Sequence, residues 1–184
     1  MNNNICSWIA YCGCSHSSAA CLKLALQRSQ QQRWIPFVPH QLCRTDRGKP
    51  FFHDLPQLHF SLSHCREEWI GLFAFAPVGI DIEAPRSCRS QAIARRFFHP
   101  AEQVWLQTHP DDFFRLWCAK ESVVKRSGRG IDDQFAQFSV VSDQGLILFD
   151  HAIRLIELTT PKKTPGMMCL GVDQQPPQCW LLLD

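Results

Sequence analysis

A membrane span, a secretion leader and a large net charge are all missing from this sequence, and each absence narrows what the chain can be. No apolar run approaches the roughly 20 residues that cross a bilayer, so no membrane partner is expected. The opening Met1-Asn2-Asn3-Asn4 has neither the basic segment nor the apolar stretch of a signal peptide, which favours a cytoplasmic location. The formal net charge is only +2, too small to hold nucleic acid as a bulk partner. The cations also lack the regular aromatic interleaving of a single-strand binder. Tyrosine occurs once, against six Trp and thirteen Phe, a balance that fits a well-filled aromatic core and an apolar docking surface.

What is present in number is cysteine. Ten are scattered through apolar patterns, as at Cys21, Cys118, Cys169 and Cys179, and with no secretion signal they read as free buried thiols. Cys12-x-Cys14-x-His16 is the one cluster with a metal-like look, but it lacks a fourth partner and the usual zinc spacing. Apolar residues at 45% and charged residues at 20% describe an ordinary globular chain, and 184 residues allow one compact unit or two small halves.

Periodicity supplies the elements. Residues 5 to 11 read as a strand, and Ser17 or Ser18 caps a helix over 19–30 whose face carries Leu22, Ala25, Leu26 and Ser29. Arg44-Thr45-Asp46-Arg47-Gly48-Lys49-Pro50 is a turn with three cations, open to reading as a solvated loop. Strands are expected at 58–62, 69–75 and 78–83, and helices at 90–97 and, from Pro100, at 101–106. The clearest helix is 111–127, capped by Asp111 or Asp112 and stopped by Gly128 and Gly130. Strands at 135–141, 146–149, 153–158, 168–172 and 180–183 follow. The sum is an α+β fold of helices on antiparallel strands, with a weak two-part symmetry of elements that divides at 77/78.

The chemistry gathers at Pro77-Val78-Gly79-Ile80-Asp81-Ile82-Glu83. With period 2, Asp81 and Glu83 point to one side of a strand and Ile80 and Ile82 to the other. Neighbouring acids gain nothing from proximity unless a cation sits between them. The plain alternative is a solvated strand end entering the Ala84-Pro85 loop. Glu121, on the flank of the long helix, is either half of a surface pair with Lys125 or, where that helix crosses the strand, a third oxygen ligand. Lys120, Lys125, Lys49, Arg47, Arg44 and His64 are the positive groups nearby; with magnesium they are what a polyphosphate substrate needs, and otherwise they form ordinary ion pairs.

Four stretches carry a resemblance. Phe60-Ser61-Leu62-Ser63-His64, Val78-Gly79-Ile80-Asp81-Ile82-Glu83, Arg95-Arg96-Phe97-Phe98 and Leu116-Trp117-Cys118-Ala119-Lys120-Glu121-Ser122-Val123-Val124-Lys125 look like the ordered motifs of the 4'-phosphopantetheinyl transferases. They resemble the surfactin-synthetase type, with its two pseudo-repeats, more than the short trimeric holo-acyl-carrier-protein synthase type. Arg47-Gly48-Lys49-Pro50 resembles the upstream Gly-Lys-Pro turn, and the likeness runs from about residue 16 to about residue 175.

The resemblance implies a fold of two pseudo-repeated halves, a shortened one over 1–77 and one over 78–184 that carries the metal site. It implies transfer of the phosphopantetheine arm of coenzyme A to a serine of an acyl or peptidyl carrier protein, with release of adenosine 3',5'-bisphosphate. Asp81, Glu83 and Glu121 would hold Mg2+, and Lys120 would contact the phosphates beside Lys125. Ser63, His64, Lys49 and Arg44 would lie at the nucleotide end of coenzyme A. Catalysis would rest on Glu121, as base through a water, with Asp81 and Lys120. Only about fifteen residues precede the first helix, and the family's His-Arg pair is replaced by His16-Ser17, which loosens the expected grip on the 3'-phosphate. Arg95, Arg96, Phe97 and Phe98 are the candidate docking ridge for an acidic carrier, the plain alternative being two core rings and two solvated cations. An internally repeated chain would be a monomer. A non-catalytic carrier-binding module and a magnesium-dependent nucleotide-diphosphate hydrolase are the competing functions.

Overall fold

The computed structural model describes residues 7–13, 17–131, 134–142, 145–146, 152–177 and 180–183. In chain order these form strand β1 (Ser7–Cys12), helix α1 (Ser18–Gln31), strands β2 (Leu42–Arg44), β3 (Pro50–Phe52), β4 (His59–Cys65), β5 (Glu68–Ala74) and β6 (Gly79–Ile82), and helices α2 (Ser90–Phe97) and α3 (Pro100–Thr108). A short 3-10 turn (Pro110–Asp112) then leads into helix α4 (Phe113–Ser127), followed by strands β7 (Val141–Ser142), β8 (Gly145–Leu146), β9 (Ile153–Thr159), β10 (Pro165–Gly171) and β11 (Trp180–Leu182). This is the α+β arrangement that the periodicities suggest.

Two sheets carry the architecture. The first has the order β11-β1-β5-β4 and the second the order β6-β10-β9. All pairings are antiparallel except β1 with β11, which is parallel, a departure from the all-antiparallel expectation. Alternation along each strand builds the layers. Trp8, Ala10 and Cys12 of β1 face α1, where they meet Cys21, Leu22, Ala25 and Leu26. Ile9 of β1, with Ile70, Leu72 and Ala74 of β5, faces the other way and packs on Ile80, Ile82, Met168 and Leu170 of the second sheet. The outer face of that sheet, with Met167 and Cys169, meets Leu116, Cys118, Ala119 and Val123 of α4. The order of layers is helix, sheet, sheet, helix.

The two sheets are joined at β4 and β6 by side chains. β6 uses one edge for β10; on the other edge the Ile80 N–H donates to Ser61 Oγ (3.0 Å), the Ile82 N–H to Ser63 Oγ (3.2 Å) and the Ala84 N–H to Cys65 Sγ (3.1 Å). Three acceptors spaced by two along β4 thus satisfy three donors spaced by two along β6 and the residues just after it, closing an otherwise open sheet edge.

Several expectations shift locally. Residues 135–140 form turns, and only Val141–Ser142 is strand, because Phe135 and Phe138 fold around a buried lysine of α4. Asp112 precedes α4 without a side-chain cap; its carboxylate accepts from Trp105 Nε1 at 2.7 Å instead. Ser17 does cap α1, accepting from the Ala20 N–H at 3.2 Å, and Gly128, at φ +75°, ends α4 in the left-handed conformation. Among the described residues seven cysteines are free, while Cys14 and His16 of the suggested zinc cluster lie outside them. So do Ile5 and Cys6 of the first expected strand and residues 147–149 of the fourth-last. Among the described residues no helix is long and apolar enough to cross a membrane.

Candidate active site

Since Ile80 and Ile82 are committed to the inter-sheet core, Gly79 and Asp81 must face α4. Gly79 allows the helix to come close. A Cβ there would lie 1.8 Å from the Ser122 carbonyl oxygen and 2.7 Å from the Arg126 nitrogen, so only glycine fits. The approach sets one stripe of α4, Cys118, Glu121 and Lys125, against Asp81 and Glu83.

Asp81 is almost fully buried, and its two oxygens differ. Oδ1 accepts from Ser63 Oγ at 2.8 Å and from Lys125 Nζ at 2.7 Å. Among the described residues Oδ2 is buried without a hydrogen-bond partner at ordinary distance, with the Cys118 thiol beside the carboxylate. Lys125 also donates to the Leu62 carbonyl at 3.3 Å. Glu83 is held by Arg86 at 2.7 Å, and the Arg86 guanidinium lies 5.4 Å from the centre of the Phe114 ring. Burial and the charges of Asp81 and Glu83 push the Glu121 carboxyl up to about 7, with Lys125 opposing them. Burial, reinforced by Asp81, pushes the Cys118 thiol up as well, so it stays protonated. Among the described residues no three His, Cys, Asp or Glu side chains stand close enough to hold a metal ion. Of the expected triad, Asp81 is held by the Lys125 ammonium, Glu121 lines a cleft with Lys125, and Glu83 lines a separate hollow with Asp112, Phe114 and Arg115.

A cleft of about 250 Å³ runs from Glu121 and Lys125 to the turn carrying Arg47, Gly48 and Lys49, with Phe60 and Ser61 along its wall. Gly48 has φ +84°, the left-handed conformation that closes the turn. Lys49 crosses Gly128, where an added Cβ would stand 2.8 Å from its Cδ, and donates to the Arg126 carbonyl at 2.5 Å. Burial first, and the Arg126 charge second, bring its pKa down to about 8. The far end of the cleft is therefore a crowded cationic corner.

Other expected residues sit elsewhere. Lys120 is 0% exposed, and its ammonium donates to Glu102 at 3.2 Å and to the Phe138 carbonyl at 2.5 Å, 4.0 Å from the centre of the Phe138 ring. The phosphate contact expected of Lys120 is thus replaced by a sealed ion pair on another face of α4. Arg44 braces the basic turn, donating to the Gly48 carbonyl at 2.8 Å, and does not line the cleft. His64 is exposed on β4, where alternation turns it away from Ser63. Ser63 serves Asp81 directly. In the expected docking ridge Phe98 is core and Phe97 packs edge-on against Trp117, leaving only the arginines outward.

The motif reading missed Ser61 and Cys65 in the sheet seam, Cys118 beside Asp81, and Glu102. Two signals were available: the period-2 run Ser61, Ser63, Cys65, and the three- and four-residue spacing of Cys118, Glu121 and Lys125.

A family model described as the 4'-phosphopantetheinyl transferase superfamily matches residues 77–156, which contain the acids, α2 to α4 and the first residues of β9. The chain is 39% identical over 104 residues to a 4'-phosphopantetheinyl transferase of Bacillus subtilis, covering 53% of this chain and 46% of that protein. It is 41% identical over 98 residues to the 4'-phosphopantetheinyl transferase ffp of the same species, covering 50% and 43%. A putative 4'-phosphopantetheinyl transferase, slr0495, of Synechocystis is 30% identical over 142 residues, covering 71% and 56%. The chain spans about half the length of the curated relatives it matches.

Proposed function

We propose that this chain, which matches the 4'-phosphopantetheinyl transferase superfamily over about half its length, transfers the phosphopantetheine arm of coenzyme A to a serine of an acyl or peptidyl carrier protein. One observation carries the reading: the buried Asp81 is bonded to Lys125, and Lys125 lines, with Glu121, a cleft that ends at Lys49. A buried carboxylate oxygen without a hydrogen-bond partner among the described residues, and a second carboxyl pushed up to about 7 by burial and then by its acidic neighbours, are what a hard divalent cation relieves. Magnesium takes one or two carboxylates together with substrate phosphates, so these oxygens suit it although, among the described residues, no three stand at ligating distance of one another. Asp81, Glu83 and Glu121 would hold it, and it would withdraw charge from the pyrophosphate of coenzyme A.

The chain's own groups do the rest. Lys49 and Arg47 receive the anionic nucleotide end at the far corner of the cleft. Ser63 holds Asp81 in place from the sheet seam. Glu121 takes the proton of the carrier serine through an intervening water as that hydroxyl forms its bond to the β-phosphorus. The bond from that phosphorus to the bridging oxygen breaks, adenosine 3',5'-bisphosphate leaves, and Lys125, in place of Lys120, offsets the charge on the departing oxygen. The segment from Ala84 to Ala101 holds Arg86, Arg89, Arg95 and Arg96 and no acid, a surface suited to an acidic carrier. We also read the chain as two halves meeting at 77/78; strand and helix of the cleft come from one chain, so a monomer suffices.

The test is the intact mass of apo carrier protein incubated with coenzyme A and magnesium. A phosphopantetheine-sized gain is expected with the unaltered protein, falling on the order of a hundredfold or more in Asp81→Ala and Glu121→Ala. No gain with acyl or peptidyl carriers overturns the reading.

A further inference from the structure

The two oxygens of Asp81 are unequally supplied. Oδ1 receives two donors, Ser63 Oγ and Lys125 Nζ, while Oδ2, in the same buried carboxylate, receives no hydrogen bond from the described residues. The two donors differ in kind. The Ser63 hydroxyl is buried in the seam and also accepts from the Ile82 N–H, so it cannot leave without opening the sheet junction. Lys125 is a compact charge on a flexible stem, with 31% of its side chain exposed and only a 3.3 Å contact to the Leu62 carbonyl as a second hold. Its stem also lines the 250 Å³ cleft beside Glu121.

We infer that Lys125 is a displaceable internal counter-ion, which neutralises Asp81 in the metal-free protein and gives way when a divalent cation takes the carboxylate. An ammonium 2.7 Å from Oδ1 and a divalent cation at the roughly 2.1 Å of a magnesium ligand would repel each other strongly across one carboxylate. The side chain able to move is Lys125. Turned off Asp81, it stays on the wall of the same cleft, where its charge meets an incoming anion. Cation entry and delivery of the phosphate-facing ammonium thereby become one event. This rests on the transferase reading for the identity of the anion, but the exchange of cations on Asp81 is tested with magnesium alone.

The experiment titrates Mg2+ calorimetrically into the full chain without coenzyme A, comparing the unaltered protein with Lys125→Met and, as a second removal of the charge, Lys125→Gln. Both variants are expected to bind Mg2+ more tightly, on the order of tenfold, since the competing cation is gone. Lys162→Met removes a charge that pairs with Glu67 and the Gly13 carbonyl, away from the cleft, and is expected to leave the Mg2+ affinity unchanged. Equal or weaker Mg2+ binding in Lys125→Met and Lys125→Gln, with carrier modification intact in the unaltered protein, overturns the counter-ion role alone. Absence of Mg2+ binding in all proteins overturns it together with the magnesium-dependent reading. An equal gain in Lys162→Met overturns it as a mere effect of net charge.

Discussion

Lys120 and Lys125 stand five residues apart on one helix, each bonded to a carboxylate, and their surroundings have almost nothing in common. The Lys120–Glu102 pair is 0% exposed on both sides, whereas Lys125 is 31% exposed and Asp81 7%. Around Lys120 the polar groups are matched. Glu102 accepts from Lys120, from the Val140 N–H at 2.9 Å and from the His99 N–H at 2.8 Å, while the ammonium adds the Phe138 carbonyl and two ring faces. Around Lys125 the matching is incomplete, for one oxygen of Asp81 is left over and a cleft opens alongside. A sealed, fully bonded charge pair ties elements together: here α3, α4 and the turns before β7. A pair left open on one side, with an acceptor unmatched among the described residues, holds its elements together less completely.

The largest expected effect breaks the sealed member. Lys120→Met strands the Glu102 carboxylate in the core and should cost about 3 kcal/mol or more of unfolding free energy. The same change at Lys125 should cost under about 1 kcal/mol, because that pair is partly open to water. Urea unfolding midpoints of the two variants, side by side, check the comparison. Midpoints in the reverse order would mean that Lys125, not Lys120, holds the helix.

Gly79→Ala sharpens the open member. Its Cβ would overlap the Ser122 carbonyl oxygen, a backbone atom that cannot swing aside, so α4 must lift from β6. A stability loss of about 2–3 kcal/mol is expected from overpacking. Carrier modification should fall further than that loss explains, since the lift separates Glu121 and Lys125 from Asp81. Activity per folded molecule, measured by intact mass, separates the two effects.

The contrast between the lysines also shows what the sequence could tell. The period-2 alternation that sends Ile80 and Ile82 to the core and Asp81 to the other side is visible in the letters alone, and so is α4 up to its glycine stop. The turn with Gly48 and Lys49 was visible as a turn, though not the three-residue strands β2 and β3 flanking it, too short to set up a pattern. Which lysine of α4 faces the acids was hidden. Each residue advances about 100° around a helix, and the face that meets β6 is fixed by the close pass at Gly79, a contact between distant parts of the chain. Phe135 and Phe138 suggested a strand by composition, yet their spacing suits wrapping an ammonium supplied from 15 or more residues upstream. Arg95 to Phe98 looked like a surface ridge because the sequence does not show that Trp117 and Phe113 stack beneath Phe98.

The smallest effect concerns two other carboxyl groups and separates them by pH. Glu68, 4% exposed, accepts from Tyr11 Oη at 2.9 Å, from Thr160 Oγ1 at 2.6 Å and from the Thr164 hydroxyl, a knot tying β1 and β5 to the β9–β10 turn. Burial alone would raise its pKa, but the hydroxyls of Thr160, Thr164 and Tyr11 outweigh it and hold the carboxyl below the ordinary 4.5. A depressed carboxyl contributes stability that is complete above the unfolded value of 4.5 and is lost as pH falls through the lower folded value. Glu121 runs the other way: raised to about 7, it favours the folded chain below pH 4.5, and that contribution is lost as pH climbs toward about 7 in the absence of metal. Tyr11→Phe should cost about 1 kcal/mol at neutral pH, the net worth of one hydrogen bond, and should lessen the loss of stability in acid. Urea midpoints across the acid range check this: an acid loss unchanged in Tyr11→Phe would show that the Tyr11 hydroxyl adds nothing to holding the Glu68 carboxyl down, leaving that to Thr160 and Thr164.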